Sequence, residues 1–372
     1  MRRTIFSDEH EHFRQEFRRF AEAELSPHNE AWLAAGMSDR SAWEKMGKAG
    51  FLGANQPEEY GGAGGDFLFD AIIMEELGDL RLHALQASLH TNICMPYLTA
   101  FGNEEQKQKY LVPAITGECL MAIAMTEPST GSDLANVSTK AIRDGDHYVL
   151  NGSKTFISCG QNADLVIVVC KTDPDVSPPH DGMSLLLVEA GTPGFVKGRN
   201  LKKLGLKGQD TSEMSFSDCR VPVENLVGVE GAAFKQTMTQ LEHERGGIDR
   251  LVSNKALFDM AVERADTTEA KVRQEIAQLE IGYRLGRILV TRETLRQAPK
   301  GFSAATKCFC TEHEQRVADF VARTFGADAL LWDDVTQGLA YGPGYTIMGG
   351  TSNIMRNILG ERVLGLPREP RN

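Results

Sequence analysis

The sequence predicts an α+β fold made of a helical N-terminal region, a middle β domain and a C-terminal helical bundle. Apolar residues recur at helical spacing in the first third of the chain, short apolar runs alternate with turn residues in the middle, and long helical patterns then return. We therefore expect domains at 1–118, 119–230 and 231–372. A chain of 372 residues is long enough to give several domains ample core.

The first region is helical. Ser7 is expected to cap a helix over 7–25, because acidic residues follow it and phenylalanines then recur at helical spacing. Further helical patterns cover 66–77 and 103–111. The glycine-rich stretch 57–65, which precedes both of these patterns, must be a loop, and it matches neither the GxGxxG fingerprint nor the phosphate-binding P-loop.

The middle region reads as short strands separated by turns. Turn sequences such as Asp144-Gly145-Asp146 and Asn151-Gly152 divide the apolar runs. This spacing is typical of an antiparallel β domain of sandwich or barrel type. The predicted strands cover 120–125, 138–142, 148–150, 165–170, 184–188 and 213–216.

The last region returns to long helical patterns, which predict a bundle. The predicted helices cover 232–265, 269–297, 303–325 and 352–364.

Charge and composition exclude several functions. The net charge of −11 argues against nucleic-acid binding, which needs a basic face. The apolar run 165–170 is far too short to span a membrane, and no signal peptide precedes Ser7, so a cytoplasmic location is expected. Seven scattered cysteines without metal-ligand spacing indicate reduced thiols and no metal site.

Two polar stretches of the middle domain are candidates for a binding site. The stretch 125–133 combines a proline, a glycine and four hydroxyl side chains. Taken alone, it is more typical of a polar loop between two domains than of a binding site. The stretch 151–158 ends a strand with an aromatic, an aliphatic and a hydroxyl residue. Together the two clusters suit a flat ring with polar edges.

These stretches also carry a resemblance. Together with Leu204–Thr211 and Gly349–Ile354, the segments Ala124–Asp133 and Asn151–Ser158 match, in order, motifs of the acyl-CoA dehydrogenase superfamily. The chain looks closest to the branch that contains long-chain and isovaleryl-type dehydrogenases, which act in fatty acid and lipid metabolism. The resemblance implies a C-terminal four-helix bundle and a flavoprotein whose middle domain holds FAD.

The resemblance also implies roles for individual residues. Thr126 would meet the pyrimidine edge of the flavin, Ser158 would reach the N5 region, and Phe156 would lie against the ring. Gly131 and Ser132 would line the channel for cofactor and acyl-CoA. The cofactor-binding residues implied are Met125, Thr126, Gly131, Ser132, Phe156, Ile157, Ser158, Thr351, Ser352 and Asn353.

The implied reaction is α,β-dehydrogenation of an acyl-CoA thioester, in which a carboxylate removes the α proton while hydride passes to flavin N5. In much of the family the base precedes the C-terminal Gly-Thr motif, but Gly349 occupies that position here. In the long-chain and isovaleryl-type branch a glutamate on a bundle helix precedes an arginine, which indicates Glu244 as the base and Arg245 as its neighbour. The substrate-binding residues implied are Ser132, Glu242, Arg245, Gly349 and Gly350.

The match departs from the family pattern where a neighbouring subunit usually contacts the cofactor. The usual Arg-x-x-Phe-Gly motif is missing around 262–269, and the later Gln-x-x-Gly-Gly motif is reduced to 323–327. A different partner subunit could supply the missing contacts, or a homodimer could bind FAD more weakly. The sequence leaves open a homo- or hetero-oligomer, as a dimer or a tetramer.

Three functions are compatible with this pattern. The first is an acyl-CoA dehydrogenase that passes electrons to an electron-transfer flavoprotein. The second is another flavoenzyme on the same scaffold, acting on a carrier-protein thioester or as an N-oxygenase. The third is a subunit of a heteromeric assembly that does not retain FAD by itself.

Overall fold

The structure is a computed structural model that describes residues 5–244, 248–295, 297–299, 301–331 and 334–368. It confirms the predicted α+β order of helices, β domain and helical bundle. In the described part of the chain, no helix is both long and apolar enough to cross a membrane. The cytoplasmic location stays a prediction.

The N-terminal helices begin where the sequence predicts. Ser7 caps the first helix, since its hydroxyl accepts a hydrogen bond from the backbone N–H of His10 at 3.3 Å. Asp66 caps the predicted helix after the glycine-rich loop by accepting from the N–H of Leu68 at 2.8 Å. The helices are α1 (Asp8–Glu24), α2 (Asn29–Ala35), α3 (Arg40–Lys48), α4 (Phe67–Asp79), α5 (Met95–Phe101), α6 (Glu104–Gln106) and α7 (Val112–Ile115).

The middle domain is one seven-stranded sheet in the order β1-β4-β2-β3-β7-β6, with β5 paired to β4. Six strands coincide with predicted ones. Strand β6 escaped prediction because its residues are mostly polar and exposed. The strands are β1 (Met121–Ala124), β2 (Lys140–Asp144), β3 (His147–Ser158), β4 (Leu165–Lys171), β5 (Met183–Glu189), β6 (Phe195–Asn200) and β7 (Thr211–Pro222).

Strand β4 is the centre of this sheet. Its side chains are buried on both faces, so its sequence is a continuous apolar run and not an alternating one. β1 and β2 both run parallel to β4, with Ala124 opposite Val168 and Lys140 opposite Lys171, whereas the other pairs are antiparallel as predicted. The segment between Ala124 and Lys140 therefore connects two strands that pair with the same edge of β4.

Two hydrophobic cores meet at β4. Leu165, Ile167 and Val169 face a core that they share with the N-terminal and C-terminal helices. The alternate residues Val166 and Val168 face a separate core inside the β domain. Successive side chains of β4 point to opposite faces of the sheet, so this one strand packs against the helical regions on one face and inside the β domain on the other.

The C-terminal region is a bundle built around two long helices. The predicted helix over 232–265 is divided, and a helix that the sequence did not predict follows the second long helix. The helices are α8 (Ala233–Glu244), α9 (Asp249–Val252), α10 (Lys255–Arg264), α11 (Ala270–Thr294), α12 (Ser303–Phe325), α13 (Asp334–Tyr345) and α14 (Ser352–Ile358).

The segment Leu204–Thr211 joins all three regions. A β-carbon added to Gly205 would lie 2.7 Å from the β-carbon of Tyr341 in α13, and one added to Gly208 would lie 2.7 Å from that of Ala84. Because no side chain fits at either glycine, the segment can pack closely against both helical regions. This third motif therefore has a structural role.

Asp210 completes this junction. Its carbonyl accepts from the side chain of Gln86 at 2.9 Å and from the N–H of Cys159 at 3.1 Å. Its carboxylate accepts from the N–H of Gln161 at 2.7 Å. Asp210 therefore fixes the end of β3, where the second polar cluster lies, against the N-terminal helices.

Candidate functional site

The structure brings the two polar clusters of the middle domain together. The N–H of Thr155 donates to the carbonyl of Thr126 at 2.9 Å, and the Nζ of Lys154 donates to the carbonyl of Met125 at 3.0 Å. Main-chain atoms of the loop are thus bonded to consecutive residues of β3. The clusters, which are separated in sequence, form one surface.

A buried ion pair lies beneath this surface. The Nζ of Lys154 is 2.9 Å from Oε1 of Glu127, and both side chains are inaccessible to solvent. Glu127 also accepts from the N–H and hydroxyl of Ser138, each at 2.6 Å, and from the N–H of Thr139 at 3.0 Å. These bonds offset much of the cost of burying the charges.

The electrostatics of the pair follow from this arrangement. Burial opposes ionisation of Glu127, but the hydrogen bonds from Ser138 and Thr139 and the charge of Lys154 outweigh it and lower its pKa to about 2. Burial lowers the pKa of Lys154, and the charge of Glu127 partly restores it. Both residues lie in motifs that the sequence analysis singled out, but it assigned neither of them a role. The available signal for an ion pair was their opposite charge in two motifs of the same domain.

Phe156 has an unusual backbone and an exposed ring. Its φ of +59° lies in the left-handed region, which is an outlier for an aromatic residue. The register against β7 shifts between Lys154 and Ile157, so Phe156 lies in a bulge. Its side chain is 66% exposed. A strained residue that presents an aromatic face to solvent indicates a ligand-binding surface.

The remaining predicted residues of this surface differ in accessibility. Gly131 and Ser132 are exposed, whereas Thr126 and Ser158 are half-buried. The side chain of Ile157 is buried in the β-domain core. Only the main chain of Ile157 could therefore contact a ligand, which narrows the cofactor contact that the sequence predicts for it.

The predicted C-terminal contacts form a turn before α14. Gly349 and Gly350 have φ of +65° and +100°, and Thr351 then caps the helix by accepting from the N–H of Ile354 at 3.2 Å. A side chain at Gly349 would be strained in this conformation. Its lack of a carboxylate therefore agrees with the backbone of the turn.

Ser352 and Asn353 follow the capping residue Thr351 at the start of α14. The N–H of Ser352 donates to the carbonyl of Thr346 at 2.9 Å, while its hydroxyl is buried and has no hydrogen-bond partner. Asn353 is exposed. The cofactor contacts expected of Ser352 and Asn353 stay predictions.

Helix α8 carries the predicted base. Glu244 is its last residue, and the side chain of Glu244, like the whole of Arg245, lies outside the described residues. The side chain of Gln240, one turn earlier, donates to the carbonyl of Pro96 at 3.4 Å and holds α8 against α5. The end of α8 therefore lies between the N-terminal helices and the bundle.

Glu242, the predicted contact to CoA, is half-buried and lies close to α11. Burial raises the pKa of Glu293 in α11, and the charge of Glu242 adds to this effect while a hydrogen bond from Thr306 opposes it. The contact of Glu242 with CoA stays a prediction.

The surface formed by Thr126, Ser132, Phe156 and Ser158 fits the ring of a flavin. It offers hydroxyl and main-chain groups, together with the aromatic ring of Phe156, a residue that is 66% exposed. A flat heteroaromatic ring with donors and acceptors along its edge needs these two kinds of contact.

Three domain models of one family match the chain in order. They are described as "Acyl-CoA dehydrogenase, N-terminal domain" over residues 7–118, "Acyl-CoA dehydrogenase, middle domain" over 122–219, and "Acyl-CoA dehydrogenase, C-terminal domain" over 231–364.

Individual relatives are similar over almost the full chain. The mitochondrial long-chain specific acyl-CoA dehydrogenase of Mus musculus is 37% identical, over 97% of this chain and 88% of its own length. The mitochondrial isovaleryl-CoA dehydrogenase of Pongo abelii is 32% identical, over 95% and 88%. The crystal structure of an acyl-CoA dehydrogenase from Geobacillus kaustophilus is 38% identical, with a TM-score of 0.92 over 97% of this chain and 99% of its own.

Proposed function

The chain belongs to the acyl-CoA dehydrogenase family, and on that premise we propose that it oxidises an acyl-CoA thioester to the 2-enoyl-CoA with Glu244 as the base. It is an FAD-dependent oxidoreductase that acts on acyl-CoA. The observation that carries the proposal is the joined surface of Thr126 and Phe156, held by the bond from Thr155.

The residues of this chain divide the work. The main chain and hydroxyl of Thr126 bind the polar edge of the flavin, and Phe156 packs against its face. Ser158 donates near the reacting edge, and Ser132 lines the channel for the thioester. When bound, FAD supplies the acceptor for the hydride that leaves the β carbon.

Glu244 removes the α proton. It ends α8, which packs against the N-terminal helices and brings the residue to the junction of the regions. A general base needs a pKa near the working pH, and for a carboxylate withdrawal from water is the usual physical means of raising it. Gly349, although it has no side chain, still has an N–H that can polarise the thioester carbonyl.

The proposed electron acceptor is an electron-transfer flavoprotein. The proposed assembly is an oligomer, and the surface of the bundle supports it. Helix α11 exposes Ile281, Leu285 and Ile288, at 47%, 47% and 57%, with the spacing of one helical face. An apolar stripe of this kind is typical of an interface. We propose that α11 packs against a second subunit, in a homo- or hetero-oligomer.

The test is reduction of the bound flavin by substrate without oxygen. The purified protein is expected to contain FAD, and addition of acyl-CoA should bleach its visible absorbance. Glu244→Gln should keep FAD but slow bleaching by roughly 10²- to 10⁴-fold, the usual contribution of a general base. Acyl-CoAs of increasing chain length would then define the substrate.

The matched control is Glu263→Gln, which changes an exposed glutamate of α10 and should leave bleaching unchanged. Bleaching by Glu244→Gln at the wild-type rate would contradict the assignment of the base. Reduction by carrier-protein thioesters but not by acyl-CoA would instead support the second function compatible with the scaffold.

A further inference from the structure

We propose that Lys154 and Glu127 are positioning residues of the flavin site, which set the place of Thr126 relative to Phe156 and thereby the affinity and spectrum of the bound flavin. The inference rests on the proposed function, because it presumes that this surface binds FAD. It assigns a role to two charged residues that do not themselves meet the cofactor.

The contacts of the pair enclose Thr126. On one side, Lys154 Nζ donates to the carbonyl of Met125 at 3.0 Å. On the other side, Lys154 Nζ meets the carboxylate of Glu127 at 2.9 Å. One ammonium group thus holds the residues before and after Thr126, and the N–H of Thr155 binds the carbonyl of Thr126 itself. The orientation of the Thr126 main chain is therefore determined from three directions.

The same ammonium group also fixes the backbone that leads into Phe156. Lys154 and Phe156 are separated only by Thr155, and both Lys154 and Thr155 are bonded to the loop. Non-glycine residues in the left-handed region are strained and persist only where their surroundings over-determine them. The bonds of Lys154 and Thr155 are such a constraint immediately before the strained residue.

Glu127 extends the constraint to the far end of the loop. Its two oxygens accept from Ser138 and Thr139, which lie just before β2. Glu127 and Thr130 also exchange two main-chain bonds, at 2.8 and 3.1 Å, which close a tight turn ahead of Gly131. Glu127 therefore closes the turn with its main chain, while its carboxylate links the end of the loop to Lys154.

Burial shows how the pair acts. The side chains of Lys154 and Glu127 are 0% and 1% exposed, so neither can reach a ligand at the surface. A buried ion pair is seldom more stabilising than apolar residues of the same volume. Its value here is geometric, because directed bonds from one charge to several carbonyl and carboxylate oxygens hold a loop more specifically than apolar contacts do.

The experiment compares Lys154→Met, Glu127→Gln and the double variant with the wild type. FAD is removed, folding of each apoprotein is checked by circular dichroism, and the FAD dissociation constant, absorption spectrum and midpoint potential are then measured on the folded protein. We expect each variant to bind FAD at least tenfold more weakly, with a shifted spectrum or potential. The double variant should recover thermal stability without recovering FAD affinity.

The control pair is Lys109 and Glu189, a lysine and a glutamate 2.7 Å apart on the exposed surface. Lys109→Met should leave FAD affinity and spectrum unchanged. Folded Lys154→Met with wild-type affinity, spectrum and potential would overturn the proposal. So would a double variant that fails to fold, since the pair would then be a folding requirement. If the wild type itself binds no FAD, the proposed function fails first, which is a different result.

Discussion

Gly205 and Tyr341 approach so closely that a β-carbon on the glycine would lie 2.7 Å from both the backbone nitrogen and the β-carbon of the tyrosine. The first residue belongs to the loop before β7 and the second to α13. Their contact is one of the points at which the β domain and the bundle meet, and it leaves no room for a methyl group.

Gly205→Ala is therefore expected to destabilise the protein. The added methyl group must displace the backbone of α13, which typically costs about 1–3 kcal/mol. The control is Gly342→Ala within α13, where an added β-carbon would meet the β-carbon of Ala318 at an ordinary 3.6 Å. The free energy of unfolding from chemical denaturation measures both, and equal values for the two variants would contradict this account of the junction.

Phe156→Gly should stabilise the apoprotein and weaken FAD binding. Glycine adopts a φ of +59° without strain, so the free energy of unfolding should rise by about 1 kcal/mol, while the aromatic face that we propose for the flavin contact is lost. Phe156→Ala separates the two effects, because it removes the ring but keeps the strain. Chemical denaturation and FAD titration of both variants give the measurement. A stable Phe156→Ala with unchanged FAD affinity would refute the role of the ring.

Asp70→Asn should flatten the pH dependence of stability. Asp70 in α4 is fully buried, and neither of its carboxylate oxygens has a hydrogen-bond partner among the described residues. Burial, followed by the charge of Asp66, raises its pKa to about 8. The unfolded chain releases this proton near pH 3.9, so the contribution of Asp70 is fully present below that pH and is lost as pH rises to about 8, at roughly 1.4 kcal/mol per pH unit.

The measurement is the free energy of unfolding between pH 5 and 8, compared between wild type and Asp70→Asn. The variant should lose less stability over this range. Asp175→Asn, at an exposed aspartate, should keep the wild-type slope. Parallel curves for wild type and Asp70→Asn would show that the buried carboxyl does not titrate in this way.

Leu285→Asp should reduce the oligomeric mass. Leu285 lies at the centre of the exposed stripe of α11, and a carboxylate in an apolar interface is costly to bury. Sedimentation analysis of the wild type and the variant measures the assembly. Glu280→Asp, beside the stripe, is the conservative control. An unchanged mass for Leu285→Asp would place the interface elsewhere.

Much of the fold could be predicted from local patterns. The apolar run of β4 predicted a buried strand, and Ser7 predicted the start of α1, because in each case neighbouring residues decide the structure. Helix α13 escaped prediction because it contains Pro343 and several glycines, which are poor helix formers. There, packing of the loop at Gly205 overrides local preference.

The candidate site was less accessible to sequence reasoning. The motifs and their family resemblance indicated the residues. The opposite charges of Lys154 and Glu127 were compatible with a pair, but their meeting could not be predicted, since β3 must first be placed beside the loop. The left-handed conformation of Phe156 has no signature in a phenylalanine. Such features depend on long-range contacts, which local composition does not encode.

The segment between β1 and β2 has a consequence for how this protein can change. Its first end lies beside Val168 of β4 and its second end beside Lys171, so two positions on one strand, three residues apart, anchor both of its ends. The entropy of closing the loop is thus met by the sheet and grows only slowly with length. Evolution or design could therefore lengthen or shorten this segment, or exchange its residues, while the sheet stays in register, provided that Glu127 keeps its ion pair with Lys154.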